Sequence, residues 1–172
     1  MGIFFNFVKM ICNIIACGDS LRGKELYLDG FTIAINNAHL YFDYDIVVCM
    51  DDPKHLQGNP TNIHTQSKYN VGRGWKLAPQ RILMRSTDTI GNFNVSTYAA
   101  INIALNLGYK DIRVYGADER IDKYIHFYDT EEATQEQKDH YNLLFKRCRS
   151  FKSIILNSLK EDESVKFINI VR

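Results

Sequence analysis

Short apolar runs recur along the chain, and each ends in polar residues. The run 11–17 leads into Gly18-Asp19-Ser20, the run 31–36 closes on Asn36-Asn37, and the run 45–50 closes on Asp51-Asp52. Apolar runs of this length between polar turns predict strands, buried as in a parallel sheet. Further strands are predicted near Ile82-Leu83-Met84, over 111–116 ahead of Ala117-Asp118, and over 165–171. Between them lie helical patterns. Residues 21–28 predict a short helix or turn, and the charged stretch 131–160 one long helix or two shorter ones. The clearest helix runs over 96–107, with Ala99, Ala100, Ile103, Ala104 and Leu107 on one face, Ser96 as N-cap and Gly108 as the stop. Strands alternating with helices predict an α/β fold: a Rossmann-like, mostly parallel sheet with helices on both faces.

Two stretches interrupt this rhythm. Residues 53–80 carry all three prolines, Pro53, Pro60 and Pro79, with Gly58, Gly72 and Gly74, and read as a long surface excursion. Residues 119–140 read as a second loop or lid. A chain of 172 residues suffices for one full core and is short for two, so 1–172 is expected to form one Rossmann-like nucleotide-binding domain. No internal repeat or low-complexity segment is evident.

Composition narrows the partners. Hydrophobic residues at 45% and charged residues at 24% suit a soluble globular protein. A net charge of +1 gives no global field to draw the chain onto nucleic acid or an anionic membrane. The cluster Lys146, Arg147, Arg149 and Lys152 reads as a solvated helix face. The apolar stretch from Ile3 to Cys17 is broken by Asn6, Lys9 and Asn13, so it falls short of the roughly 20 apolar residues of a membrane span. It reads as a core strand with an apolar lead-in. Asn6 also stands where a myristoylation signal has Ser or Thr. Cys12, Cys17, Cys49 and Cys148 show no C-x-x-C spacing and read as reduced core thiols of a cytoplasmic protein, ahead of a disulfide or a zinc site.

The strand ends carry the candidate chemistry. Open α/β sheets bind ligands at the carboxyl edge, where Asp19, Ser20, Asn36, Asn37, Asp51 and Asp52 would gather. Two junctions stand out, Gly18-Asp19-Ser20 and Asn94-Val95-Ser96-Thr97. Each offers small or hydroxylated residues at a helix start, so free N–H groups and the positive end of a helix dipole would face one crevice and suit a phosphate. The plainer reading of the first is a strand-to-helix turn capped by Ser20. Asp51-Asp52 invites a metal reading, but adjacent carboxylates lack D-x-D spacing and read as a polar strand end, so no metal ligand is assigned. His39, His55 and His64 lie in loop-like surroundings without ligand spacing and read as surface residues.

The run Ser96-Thr97-Tyr98-Ala99-Ala100-Ile101-Asn102-Ile103-Ala104-Leu105, followed by Gly108-Tyr109-Lys110-Asp111-Ile112 and Gly116-Ala117-Asp118, resembles the bacterial sialyltransferases of glycosyltransferase family 42. It is also similar to phage and bacterial proteins with a domain like 6-hydroxymethylpterin pyrophosphokinase. The family motif Gly-x-Gly-Pro-Ser-Leu corresponds to Ala16-Cys17-Gly18-Asp19-Ser20-Leu21, which keeps Gly18, Ser20 and Leu21. Asn36-Asn37 and Asp52-Pro53 stand where the family has a polar strand end and an Asn-Pro.

The resemblance implies binding of CMP-sialic acid or another nucleotide derivative without a metal, and transfer of the sugar to a glycan or other acceptor hydroxyl. Gly18, Asp19 and Ser20 would approach phosphate or ribose, and Asn36 and Asn37 the nucleotide. Asp52 would face the donor, Ser96 and Thr97 would meet base or phosphate at the helix start, and Gly116 and Asp118 would close the edge. Asp19 and Asp52 place negative charge beside an anion, which asks for compensation by Arg22, Arg73 or Arg120. The family's His and Tyr pair has candidates in His126, Tyr124, Tyr128, His140 and Tyr141, with His140 expected as general base ahead of His126, and Tyr128 as a third catalytic candidate. No cofactor is expected beyond the nucleotide-sugar substrate. The alternatives are a nucleotide-binding protein without transfer activity, and a pyrophosphokinase-like enzyme needing ATP and magnesium, with Asp51 and Asp52 as ligands. The resemblance places the chain in the cytoplasm of a bacterium or a phage-infected host cell. It also makes a homo-oligomer, using the apolar lead-in, an expectation.

Overall fold

A computed structural model describes residues 10–66, 76–78, 89–91, 96–118, 120–146 and 165–168. Its strands are β1 (Ile11–Ile15), β2 (Phe31–Ile35), β3 (Ile46–Cys49), β4 (Ile63–Gln66), β5 (Lys76–Ala78), β6 (Thr89–Gly91), β7 (Asp111–Tyr115) and β8 (Val165–Ile168). They form one sheet in the order β6-β5-β4-β3-β2-β1-β7-β8, and every pairing is parallel. The fold is a single-domain, Rossmann-like α/β architecture. All five residues of β1 are buried, as a central parallel strand requires.

Strand alternation sorts the core into two layers. Cys12, Ile14, Ile33, Ile35, Ile46 and Val48 face the helix α1 (Ser96–Asn106). Ile15, Ala34 and Val47 face the opposite side, where Leu21, Ala38 and Phe127 cover them from 3-10 turns and a loop rather than from a long helix. Helix α1 is buried on every side from Ser96 to Leu105, not on the one stripe its pattern predicts. Asn102, fully buried, accepts at Oδ1 from Asn106 Nδ2 at 2.9 Å, which lets a polar residue stand in that setting. The helix stops as predicted. Gly108 takes φ 85°, its N–H donates to Leu105 O, and Tyr109 N–H donates to Ala104 O, a Schellman motif.

The region 53–80 differs from its reading as a surface excursion, since β4 and β5 lie within it and continue the sheet beyond β3. Ile63-His64-Thr65-Gln66 carries one apolar side chain, so its pairing with β3 through the main chain leaves no apolar run to read. His64 is buried there, and desolvation lowers its pKa to about 4. His39 is buried as well, in the 3-10 turn Asn36–Leu40, with ring nitrogens 2.7 Å from Asn36 O and 2.7 Å from Gln57 O. Both histidines therefore depart from the surface placement expected of them. The second long helix, α2, covers residues 135–146 and opens with a capping box: Gln137 N–H donates to Thr134 Oγ1 and Thr134 N–H to Gln137 Oε1. The strand expected near Ile82, the apolar lead-in before Met10, Cys148 and the basic residues from Arg147 onward lie outside the described residues. Among the described residues no helix is long and apolar enough to cross a membrane.

Candidate functional site

The strand order reverses between β1 and β7, which lie side by side, sixth and seventh of the eight, while their successors run outward in opposite directions. Ligands of open α/β sheets bind at such a switch point, outside the carboxyl ends of the strands. Registers bring those ends level: Ile15 sits opposite Ala34 and Tyr115, and Ile35 opposite Val48. A cavity of about 360 Å³ opens there. Its walls take Gly18 from beyond β1, Asn36 from beyond β2, Asp51 from beyond β3, Ser96 and Thr97 from the start of α1, and Gly116 and Asp118 from beyond β7. His126 and His140 complete it from the loop 120–134 and from α2.

The loops after β1 and β7 interlock. Gly18 N–H donates to Gly116 O at 2.8 Å, and a Cβ on Gly18 would collide with that oxygen and lie 2.5 Å from Asp118 Cγ. Gly116 holds φ 68°, and a Cβ there would come within 2.5 Å of Leu21 Cδ1. Asp118 then reaches back over the 3-10 turn Asp19–Leu21. Its carboxylate accepts from Ser20 N–H at 2.7 Å and from the Ser20 hydroxyl. Both Ser20 donors that the sequence offers to a phosphate at this junction are thus engaged by an anion of the chain itself, and the Gly18 N–H by a backbone carbonyl.

Asn36 stands at φ 50°, a left-handed conformation that asparagine tolerates better than most side chains, and its Oδ1 is buried with no hydrogen-bond partner among the described residues. Ser96 and Thr97 are buried at the first turn of α1, and Ser96 Oγ accepts from Met50 N–H at 3.3 Å, tying the helix to the end of β3. Cys17 also lines the cavity, but desolvation pushes its thiol up to about 12, so it is no thiolate nucleophile at neutral pH.

Other predicted residues lie beside the cavity rather than in its wall. Asp19 pairs with Arg22 Nε at 2.6 Å. Asn37 Oδ1 accepts from Gln57 N–H at 3.1 Å. Asp52 accepts from Lys54 N–H at 3.1 Å and pairs with Lys54 Nζ at 3.0 Å, contacts that lower its pKa. Tyr128 lies next to His126, and burial raises its phenol. Of the compensating cations expected, Arg22 is engaged by Asp19 and two carbonyls, Arg120 is three-quarters exposed and paired with Asp122, and Arg73 lies outside the described residues. No Lys or Arg is among the described lining residues.

Sequence reasoning missed the clasp that holds the loop 120–134. Arg22 donates from Nη2 to His126 O at 2.9 Å and from Nη1 to Asp129 O at 3.0 Å, with its guanidinium 3.7 Å from the Tyr124 ring centroid. Phe127 N–H donates to Cys17 O. On the far side Asn142 Oδ1 accepts from Ile121 N–H while its Nδ2 donates to Ile121 O, fastening the loop to α2. No group of three His, Cys, Asp or Glu side chains among the described residues is placed to hold a metal ion. Comparison with family models, curated proteins and solved structures gives no match to this chain.

Proposed function

We propose that the switch-point cavity binds a nucleotide-activated sugar of the CMP-sialic acid type, and that the chain transfers the sugar to an acceptor hydroxyl without a metal. The observation that carries this reading is Asn36. A buried carbonyl oxygen without a partner costs about 1–3 kcal/mol, and a strained backbone adds to that. Such a residue at the carboxyl edge, lining the same cavity as the start of α1, suits a ligand that donates from a ribose hydroxyl or a base amino group to Asn36 and sets a phosphate against the helix N-terminus. The charge in the walls favours a donor of low charge. With Asp51 and Asp118 present and no Lys or Arg among the described lining residues, a nucleoside monophosphate ester is better accommodated than a triphosphate.

Isothermal titration calorimetry against CMP, UDP, GDP and ATP, each with and without magnesium, tests the reading. The expected result is metal-independent CMP binding, weakened about tenfold in Asn36→Ala, in keeping with loss of one hydrogen bond, and abolished in Ser96→Arg. Magnesium-dependent ATP binding overturns it in favour of the pyrophosphokinase-like alternative. Absence of binding to all four nucleotides overturns it outright, and CMP binding without hydrolysis of CMP-sialic acid leaves a nucleotide-binding protein that performs no transfer.

A further inference from the structure

We infer that His126 is the proton acceptor of the transfer step and that Asp129 is its positioning residue; this rests on the transfer reading above. Position in the chain alone favours His140, but the two histidines have different surroundings. His140 is exposed on α2, and its ring makes no hydrogen bond among the described residues; it meets the edge of Tyr141. His126 is held on several sides. Asp129 Oδ2 accepts from His126 N–H at 2.8 Å, and the two carboxylate oxygens lie 3.2 and 3.3 Å from Nδ1. Asp129 N–H donates back to His126 O at 3.2 Å, and Arg22 holds the carbonyls of both residues. The ring lies parallel to Tyr128, 5.0 Å between centroids with an 8° interplanar angle, and Tyr128 lies parallel to Tyr41.

The chemistry follows from donor and acceptor roles. An ionised carboxylate only accepts, so in the neutral ring the proton sits on Nδ1 and the lone pair on Nε2. Nε2 has no partner among the described residues, and His126 lines the cavity. In the step, the acceptor hydroxyl gives its proton to Nε2 while its oxygen bonds to the anomeric carbon. The bond from that carbon to the phosphate oxygen breaks, and its electron pair leaves on the nucleotide. The imidazolium that results is stabilised by the Asp129 carboxylate beside Nδ1.

The test combines nitrogen NMR of the full chain, labelled at histidine, with hydrolysis of CMP-sialic acid, where water is the acceptor. The neutral His126 ring is expected as the Nδ1–H tautomer. In Asp129→Asn the amide oxygen can keep the His126 N–H bond while the amide nitrogen donates to Nδ1. The ring should then carry its proton on Nε2, and turnover should fall about 10²–10⁴-fold with CMP affinity unchanged. His126→Ala is expected to fall at least as far. An Nε2–H tautomer in the unsubstituted chain overturns the inference whatever the turnover, as does full hydrolysis in Asp129→Asn with the tautomer reversed. Loss of hydrolysis in His140→Ala with retention in His126→Ala overturns it by moving the role to α2. If CMP does not bind, the transfer reading falls and the role of base with it, while the tautomer still reports whether Asp129 sets the ring.

Discussion

The turn after β1 and the start of α1 share a composition of small and hydroxylated residues and end up in one cavity wall, yet they spend their hydrogen bonds differently. At the first, Ser20 gives its N–H and its hydroxyl to Asp118, and Gly18 gives its N–H to Gly116 O. At the second, the Ser96 hydroxyl accepts from Met50 N–H and anchors the helix start beside the cavity. The β1 turn is a joint between two strands; the α1 start is a buried anchor to the end of β3 that lines the same cavity. A motif announces how many donors a turn has, and the long-range partner decides whether any remain for a ligand.

The hardest test of the joint is Gly18→Ala. The added Cβ meets a backbone oxygen that cannot swing away, so the chain should lose about 3–5 kcal/mol in urea unfolding. A loss below about 1 kcal/mol would show that the loops part freely and that the β1 turn is no joint. The next effect is acidic. Burial depresses the His64 pKa to about 4, so between its ordinary value near 6.5 and about 4 the unfolded chain holds a proton that the folded chain does not. Stability is therefore flat above pH 6.5 and falls by up to about 3 kcal/mol as pH drops to about 4. His64→Gln should flatten this limb, and measuring it first keeps an acid loss from being assigned to the Asp118 clasp. Asp118→Ala should cost about 2 kcal/mol, because charge-assisted bonds are lost and Ser20 keeps a half-buried donor. Added formate should recover part of that loss by returning a carboxylate to the turn. Ser96→Ala should cost about 1 kcal/mol, with no recovery by formate. Equal response to formate at both positions would erase the distinction between carboxylate-held joint and helix anchor.

Much of the architecture is legible in the order of residues. The runs ending at Ile15, Ile35, Cys49 and Tyr115 are strands, the first three buried and the last alternating, and the polar residues after them do gather at one edge, because parallel strands in register must end level. Gly108 stops α1 by the mechanism its position suggests. Three features escape for physical reasons. Strands β4 and β5 are held by main-chain pairing along short, mixed stretches, which leaves no periodic signal. The burial of α1 on all sides depends on what covers its outer face, and the polar Thr97 and Asn102 mimic a solvent side. The partners of Ser20, Asp19 and His126 were the least legible. One lies 98 residues away, at Asp118; the others are three residues off, in turns where only the backbone conformation brings side chain to side chain.

The interior place of β1, between β2 and β7, also governs how this chain must be made. Its first strand pairs on one side with β2 close behind it, but on the other with β7, whose residues come about a hundred positions later. At synthesis rates of roughly 5–20 residues per second, that edge of β1 waits about 5–20 s for its partner. Throughout that interval the apolar strand Ile11–Ile15 presents an unpaired ladder. The nascent chain therefore carries an aggregation-prone edge until β7 is complete, and a chaperone that shields β1 over that interval is expected to raise the yield.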